Sequence, residues 1–569
     1  MGDMATTMEP PPKNPPGATT DPHGDGGRHS ARRAIAGGAG IMMAAILGSR
    51  LLGLIRERVI AHQFGQGFNT DVYNGAFTIP DLLFFLIAGG ALSGAFLPVF
   101  TDYISTMREK EAWRIFSVVA SVMTIVVTCF IILGEIFTPQ LVRITNPGFS
   151  DIPGKVEATV ALTRILLPAQ LCFFLGGLMM GTQTARNFFW GQALGPMIYN
   201  LGIILGGVFL AKTYGVAGLC YGAVSGAVLG NLLLQWFLVR RMGGRFVFAS
   251  LRENFRHPGV MKVWGLMLPV ILGLALPQVS TIIGKAFASV LGNGPQSALM
   301  NANKLMQVPL GVFAQAIAIA SLPTMSAQAA RREFSALRHT VSFSLRSILF
   351  LTIPSSMVMF VLALPIVQLL LQSGKFSSID AAMAAAALRY FAIGIFAWSA
   401  HSILTRGFYA LQESRTPIIV GTIVTFIFIP LNLVALRMTG KSDPSAAIAG
   451  LACVTSIAAT IHMLSMLILL RLRLRGLDGG RLLISVSRIT LASLITAFIC
   501  RIVRDRLVAH FVARYGALAA KHVIRESAFV LLGCLAVSTV VYTGLALLLH
   551  MEEVNVVRRL ARRFVPSAS

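Results

Sequence analysis

The sequence predicts an all-α polytopic membrane protein of about fourteen transmembrane helices. Three observations carry that prediction. First, 55% of the 569 residues are hydrophobic and only 12% are charged, with a mean hydropathy of +0.73. Soluble domains carry about 25% charged residues, so this chain cannot clothe a core in polar surface. Second, the apolar residues come in long continuous runs rather than alternating pieces of about ten residues, which speaks against a β-barrel. Third, 48 Lys and Arg stand against 23 Asp and Glu, formally +25, and they gather in short loops between the runs. In a soluble protein that excess would suggest nucleic acid. Here it reads as membrane orientation, with no nucleic-acid partner.

Residues 1–33 come first and read as a disordered tail. Its prolines (Pro10, Pro11, Pro12, Pro15, Pro16) and Gly24, Gly26 and Gly27 leave nothing to pack. No short apolar stretch with a cleavage site precedes the first long run, so no removed signal peptide is expected. Apolar runs follow at 34–58, 71–104, 114–138, 156–184, 191–212, 215–240, 260–289, 295–326, 339–372, 380–410, 416–437, 445–470, 483–504 and 524–549. Each is long enough to cross a bilayer core of about 30 Å. Prolines lie inside many of them: Pro80, Pro98, Pro168, Pro196, Pro269, Pro277, Pro309, Pro323, Pro354 and Pro430. Helix breaks in a membrane are tolerated where the freed backbone faces protein or a water-filled cavity. That suits a transporter better than a passive anchor. Cys129, Cys172, Cys220, Cys453, Cys500 and Cys534 all fall in apolar stretches without a CxxC pairing. They read as small buried hydrophobes rather than zinc ligands or disulfides.

The loops set the orientation. With the tail inside, the inner loops hold clusters such as Arg240, Arg241 and Arg245, or Arg471, Arg473 and Arg475. The outer loops hold single cations: Arg143, Lys155, Lys212, Lys375, Arg437 and Lys441. The last outer loop, with Arg506, Arg514, Lys521 and Arg525, breaks the pattern. The sum places both termini in the cytoplasm. Residues 550–569 set Arg558, Arg559, Arg562 and Arg563 beside Val556, Val557, Leu560 and Phe564. That is a basic amphipathic tail suited to anionic membrane lipid.

A faint internal repeat is visible. Phe64-Gly65-Gln66-Gly67, Pro80 and Ala95-Phe96-Leu97-Pro98 are echoed by Leu291-Gly292-Asn293-Gly294, Pro309 and Ala320-Ser321-Leu322-Pro323. Six helices separate the copies, so both enter the membrane the same way. Parallel repeats of this kind place a substrate site between two lobes.

Catalytic constellations are missing. Gly440-Lys441-Ser442 ends like a phosphate-binding loop, but Ala435 stands where its first glycine is needed. No nucleophile–base set is visible, so a transporter is favoured over an enzyme. The informative residues are charges inside apolar runs: Arg50, Arg56, Asp71, Asp81, Lys285 and Lys304. A charge at the membrane centre costs at least a few kcal/mol and usually faces a cavity or a partner. Arg50 and Arg56 stand about 120° apart on an ideal helix, and a bend at Gly53 would bring them closer. Arginine forks suit phosphate oxygens, and lysine adds a point charge. Two readings stay open for several of them. Arg56 lines a cavity or pairs within Arg56-Glu57-Arg58. Lys285 lines a cavity or reaches for the interface. Asp71 faces the cations or caps its own helix. Arg164, Arg389 and Arg406 read as structural pairs or snorkelling residues.

At this point the order of motifs becomes informative. Ser49-Arg50-Leu51-Leu52-Gly53-Leu54-Ile55-Arg56 is followed by Phe64-Gly65, Thr70-Asp71, Pro80 and Gly90-Ala91-Leu92-Ser93-Gly94-Ala95-Phe96-Leu97-Pro98. Asn303-Lys304-Leu305, Gly374-Lys375-Phe376 and Gly407-Phe408-Tyr409-Ala410-Leu411 come later. Over about 45–470 the chain resembles the MurJ (MviN) family, the lipid II flippases of the MOP exporter superfamily. The resemblance implies two six-helix lobes, 34–241 and 258–470, around a central cationic cavity. It also implies two further helices, 483–549, beside a lipid-facing groove. It implies alternating access in the bacterial inner membrane, carrying undecaprenyl-pyrophosphate-linked disaccharide-pentapeptide from the inner to the outer leaflet. Arg50, Arg56 and Asp71 match family positions, and Lys304 stands where the family usually has a cavity arginine. Phe84, Phe85, Gly89 and Asp81 depart from the family pattern, so a less cationic cavity is expected, with Lys285 compensating in part.

Substrate contact is therefore expected from Arg50, Arg56, Lys304, Asp71 and Lys285, with lipid II as partner and no metal or cofactor. The energy source is left open between membrane potential, Na+ and H+. The alternatives are export of another polyprenyl-linked glycan or a drug, and a non-transporting scaffold for cell-wall synthases.

Overall fold

The computed structural model describes residues 48–85, 91–186, 188–246, 257–440, 442–515 and 522–554, with the side chains of 91–94 and 266–277 outside that description. The tail at 1–33, Gly89 and the basic segment 558–564 lie outside the described residues. Every regular element among the described residues is helical.

The first helix, α1 (48–64), runs unbroken through Gly53. The second apolar run is broken instead. It forms α2 (Phe68–Ala76), α3 (Thr78–Leu83) and α4 (Ala91–Ser105), with a wide π turn at 84–85. The Thr70 hydroxyl accepts from the Gly67 amide at 2.9 Å, satisfying a free donor at the start of α2. The later runs form α5 (Glu109–Thr145), α6 (Lys155–Ala185), α7 (Trp190–Tyr214) and α8 (Ala217–Arg241). Then follow α9 (Pro258–Ser289), α10 (Pro295–Ala330), α11 (Phe334–Leu371) and α12 (Ser378–Ala410). The chain closes with α13 (Arg415–Thr439), α14 (Pro444–Arg473), α15 (Gly479–Tyr515) and α16 (Val523–Leu548).

Eleven of these helices are long and apolar enough to span a membrane. The other three expected spans, at 34–58, 71–104 and 260–289, each include residues outside the description. The chain is a multi-pass helical membrane protein, and its exposed Ile, Leu and Phe side chains along α13, α15 and α16 are what a lipid-facing surface requires.

The prolines break fewer helices than expected. Pro354 lies inside the continuous α11 and Pro430 inside α13. Pro168 does interrupt α6, which turns at 167–168 between Leu166 and Ala169. Other irregular places are π turns at Gly206–Leu210, Ala227–Leu233 and Leu310–Ala314. The Leu310–Ala314 turn follows Pro309, and the turn at 84–85 lies close after Pro80, so the two copies of the repeat share this irregularity. π turns of this kind are frequent at functional sites.

Packing follows residue size. α7 and α8 cross nearly backbone to backbone: a Cβ on Gly202 would stand 2.5 Å from the carbonyl oxygen of Gly222. Small residues at such crossings let membrane helices approach closely, where the hydrophobic effect offers no drive. In the second half, α12 packs on both α11 and α14 around Phe391, Leu404 and Phe408. α15 and α16 pack on each other and on α11. Of the cysteines, Cys172, Cys220, Cys500 and Cys534 are buried; Cys453 is only partly buried, and Cys129 departs from expectation by being exposed on α5.

Candidate functional site

Three cations (Arg56, Lys285 and Lys304) and two carboxylates (Glu57 and Asp81) from both halves lie close together around α1, α3, α9 and α10. α1 carries Arg56 and Glu57 side by side. The Arg56 guanidinium donates to Glu57 Oε1 at 2.6 Å through Nη2 and to Asn200 Oδ1 of α7 at 3.0 Å through Nη1. Lys304 Nζ, arriving on α10 from the other half, donates to Glu57 Oε2 at 2.8 Å. One carboxylate thus neutralises two cations, each through its own oxygen. The side chains of Arg56 and Lys304 keep 22% and 33% exposure while Glu57 keeps 8%. The cations face open space and the acid is withdrawn between them. Of the two readings of Arg56, the structure shows the ion pair within Arg56-Glu57-Arg58, extended through Glu57 to Lys304.

Arg50 lies further back on α1. Its Nη1 donates to the Gln307 carbonyl at 3.3 Å, and its guanidinium occupies the space above Gly311. A Cβ at 311 would displace it. Among the described residues no bond joins Arg50 to the Arg56–Lys304 pair.

Lys285 of α9 is 6% exposed and donates to the Asn74 carbonyl and the Thr78 hydroxyl, both at 3.2 Å. It holds the break between α2 and α3 and does not reach for the interface. Asp81, on α3, opens to solvent yet sits deep in the bundle, with Lys285, Lys304 and Arg56 as its charged neighbours.

Asp71 sits elsewhere than expected. It is fully buried and neither faces the cations nor caps its own helix. Oδ2 accepts from Lys155 Nζ at 3.0 Å and from the Gly294 amide at 2.7 Å. Oδ1 accepts from the amide and hydroxyl of Ser297 at 2.9 and 2.7 Å. Asp71 therefore caps α10, in the opposite half, and its carboxylate has no edge left for a ligand. Lys155, read from sequence as an outer-loop charge, is its buried partner and also binds Asn293 Oδ1 at 2.9 Å.

Other bonds join the halves at the same end. Gln296 donates to Asn146 at 2.6 Å, Asn74 to Ser297 at 3.2 Å and the Lys375 amide to the His62 carbonyl at 3.0 Å. A small cavity of about 10 Å3 lies beside these bonds, lined by Glu57, Thr70, Asn74 and Asn301. It is room for about one water.

Phe84 and Phe85 open an aromatic file. Phe84 packs edge-on against Phe85 and Phe173, with centroids 5.5 Å apart in each pair, and Phe173 against Tyr199 at 5.1 Å.

The family profile described as "Lipid II flippase MurJ" matches residues 60–518. The chain belongs to the MurJ family. A MurJ relative from Rhizobium meliloti, described as a probable lipid II flippase, is 28% identical over 92% of this chain and 96% of its own. One from Burkholderia cenocepacia, described as a lipid II flippase, is 29% identical over 75% and 82%. The solved structure "Lipid II flippase MurJ, inward closed conformation" superposes with a TM-score of 0.71 at 24% identity, covering 89% of this chain and 97% of that one. An inward-facing multidrug MATE transporter of the MOP superfamily follows at 0.64 and 14%, covering 76% and 96%. These likenesses establish a MurJ and MATE-type transporter fold.

Sequence reasoning missed Glu57 as the shared anion, Asn200 as the second partner of Arg56, and Lys155. The only signal for Lys155 was a lone cation just after Gly154 at the start of an apolar run.

Proposed function

We propose that this chain moves lipid II, a polyprenyl diphosphate carrying a sugar–peptide headgroup, from the inner to the outer leaflet by alternating access. Membership of the MurJ family supports the substrate. The observation that supports the mechanism is the Arg56–Glu57–Lys304 bridge between the halves.

In the absence of substrate, Glu57 keeps two close cations from repelling each other. A diphosphate brings more charge and more acceptor oxygens than one carboxylate. It displaces Glu57, takes the guanidinium fork of Arg56 in two hydrogen bonds and adds Lys304 as a point charge. The bridge between the halves is then carried by the headgroup. Arg50 lies along α1 to receive further anionic oxygens. The Asp71 seal marks the end that stays shut in this conformation, so the headgroup enters from the end with the basic loops. With both termini in the cytoplasm, that end is the inner leaflet. The polyprenyl tail stays in lipid beside α15 and α16.

The test is rescue. The native lipid II flippase of a bacterium is depleted, this chain is expressed, and outer-leaflet lipid II is followed by its cleavage with an added lipid II-cleaving toxin. Rescue by the wild type and its loss in Arg56→Ala, at equal membrane abundance, supports the proposal. Rescue that survives both Arg56→Ala and Lys304→Ala overturns the mechanism. Export of a different polyprenyl-linked glycan is favoured by the Phe84–Phe173–Tyr199 file. Absence of rescue by a well-inserted wild type would select it.

A further inference from the structure

The C-terminal half holds a pair of histidines that the cation site does not use. His401 of α12 and His462 of α14 bring their rings to a centroid separation of 4.2 Å with 55° between planes. They lie well inside helices that cross the membrane, in the packed region between α12 and α14. His401 Nε2 shares a hydrogen bond with the Thr405 hydroxyl at 3.3 Å. His462 Nε2 is buried without a partner. An orphaned polar atom of that kind is expensive in an apolar interior, and an ionisable side chain within a membrane helix is a functional candidate by default.

The surroundings explain how charged the pair can become. On α12 itself, Arg406 is engaged with the Ser402 carbonyl and Gln315 Oε1 of α10, both at 3.3 Å. From α13, Gly421 faces His462, with 3.6 Å between its would-be Cβ and Cε1. Nearby, the Thr425 and Ser280 hydroxyls bond each other at 3.0 Å. α11 brings Arg346, which is committed to Glu552 and Glu553. The lysines of α9 and α10, Lys285 and Lys304, are held by Thr78 and Glu57. Arg415 and Arg437 stand at the two ends of α13, and Arg471 and Arg473 at the end of α14. Among the described residues no carboxylate is bonded to either ring. One imidazolium is tolerable, because its charge can lie against the π face of the neighbouring ring. Two are not, because like charges at that distance in low dielectric oppose one another.

We propose that His401 and His462 together form a one-proton binding site inside the C-terminal half, and that its occupancy sets the rate of lipid flipping. The proton comes from water, settles on one ring nitrogen and leaves the other ring neutral. This deepens the transport reading and rests on it for the rate, though not for the binding.

The test has two arms. In the first, the wild-type chain is placed in nanodiscs with 15N-labelled histidine and titrated by NMR without any substrate. The expected result is that these two rings take up one proton between them, and not a second, as the pH is lowered. Two independent full titrations, or none, overturn the proposal. In the second, lipid II flipping is measured in proteoliposomes at equal pH on both sides. The wild-type rate is expected to change about tenfold for each pH unit past the midpoint. His401→Gln and His462→Gln should flip at a rate that no longer follows pH. An unchanged pH profile in both variants, or a uniform loss at every pH, overturns it. Absence of lipid II flipping at every pH would count against the transport reading alone, since the first arm needs no substrate.

Discussion

Lys155 donates to Asp71 at 3.0 Å with both side chains fully buried, and the same carboxylate caps a helix of the opposite half through Ser297. The ion pair lies within the N-terminal half; the cap crosses to the other. Anything that moves α10 away from α2 must uncap α10 and leave the carboxylate with Lys155 alone.

Removing one member of such a pair strands the other charge. Lys155→Met is expected to destabilise the protein by about 3–5 kcal/mol, whereas Asp71→Asn with Lys155→Met should recover much of the loss. Thermal unfolding in detergent measures both. Equal melting of the single and double variants would contradict the pairing.

Glu57→Gln should leave Arg56 and Lys304 without their shared anion. The expected outcome is tighter binding of a polyprenyl diphosphate and slower turnover, because the headgroup no longer has to displace a carboxylate and is released less readily. Binding by calorimetry and flipping in vesicles would move in opposite directions. Weaker binding in Glu57→Gln would rule the displacement out.

Gly311→Ala should lower transport with little change in expression, by driving the Arg50 guanidinium from its place. Gly53→Ala, on the same helix as Arg50, meets nothing within 4 Å and should be silent. The toxin-cleavage assay compares the two directly.

His257 caps α9, its Nδ1 accepting from the Gly259 amide at 3.1 Å. Burial pushes its pKa below the usual 6.5, outweighing the pull of Glu111 3.8 Å away. A depressed histidine contributes stability that is full above its unfolded pKa and is lost as pH falls through the folded one. Protonation also removes the capping lone pair. Amide protection at 259–262 should therefore fall as pH drops below about 6.5, and His257→Asn, a cap that does not titrate, should flatten that response.

The fold was legible because hydropathy and loop charge are local properties, and fourteen runs could be read one at a time. The repeat was legible as motifs, and its two π turns agree with it. Arg56 and Lys304 were legible as costly charges in apolar runs. Their shared partner was not, because Glu57 beside Arg56 reads as an ordinary neighbour until α10 is placed. Asp71 was misread for a related reason. An acid near a helix start suggests its own helix, and only tertiary structure reveals that it caps one more than two hundred residues later. Cys129 was misread because a long apolar run does not say which face meets lipid.

The end of the chain carries one more arrangement. Past α16, Glu553 is 2% exposed and accepts from Arg346 of α11 at 3.1 Å and from the Ser485 hydroxyl at 2.8 Å, while Glu552 takes the same guanidinium at 2.9 Å. Arg346 precedes Glu553 by 207 residues. At roughly 5–20 residues per second, a ribosome needs tens of seconds to cover that distance. Throughout that time α11 is inserted with a guanidinium whose acids have not been made. A nascent chain stalled before Met551 would never receive them, so a guanidinium laid down early in α11 is neutralised only once the acids that follow α16 are made.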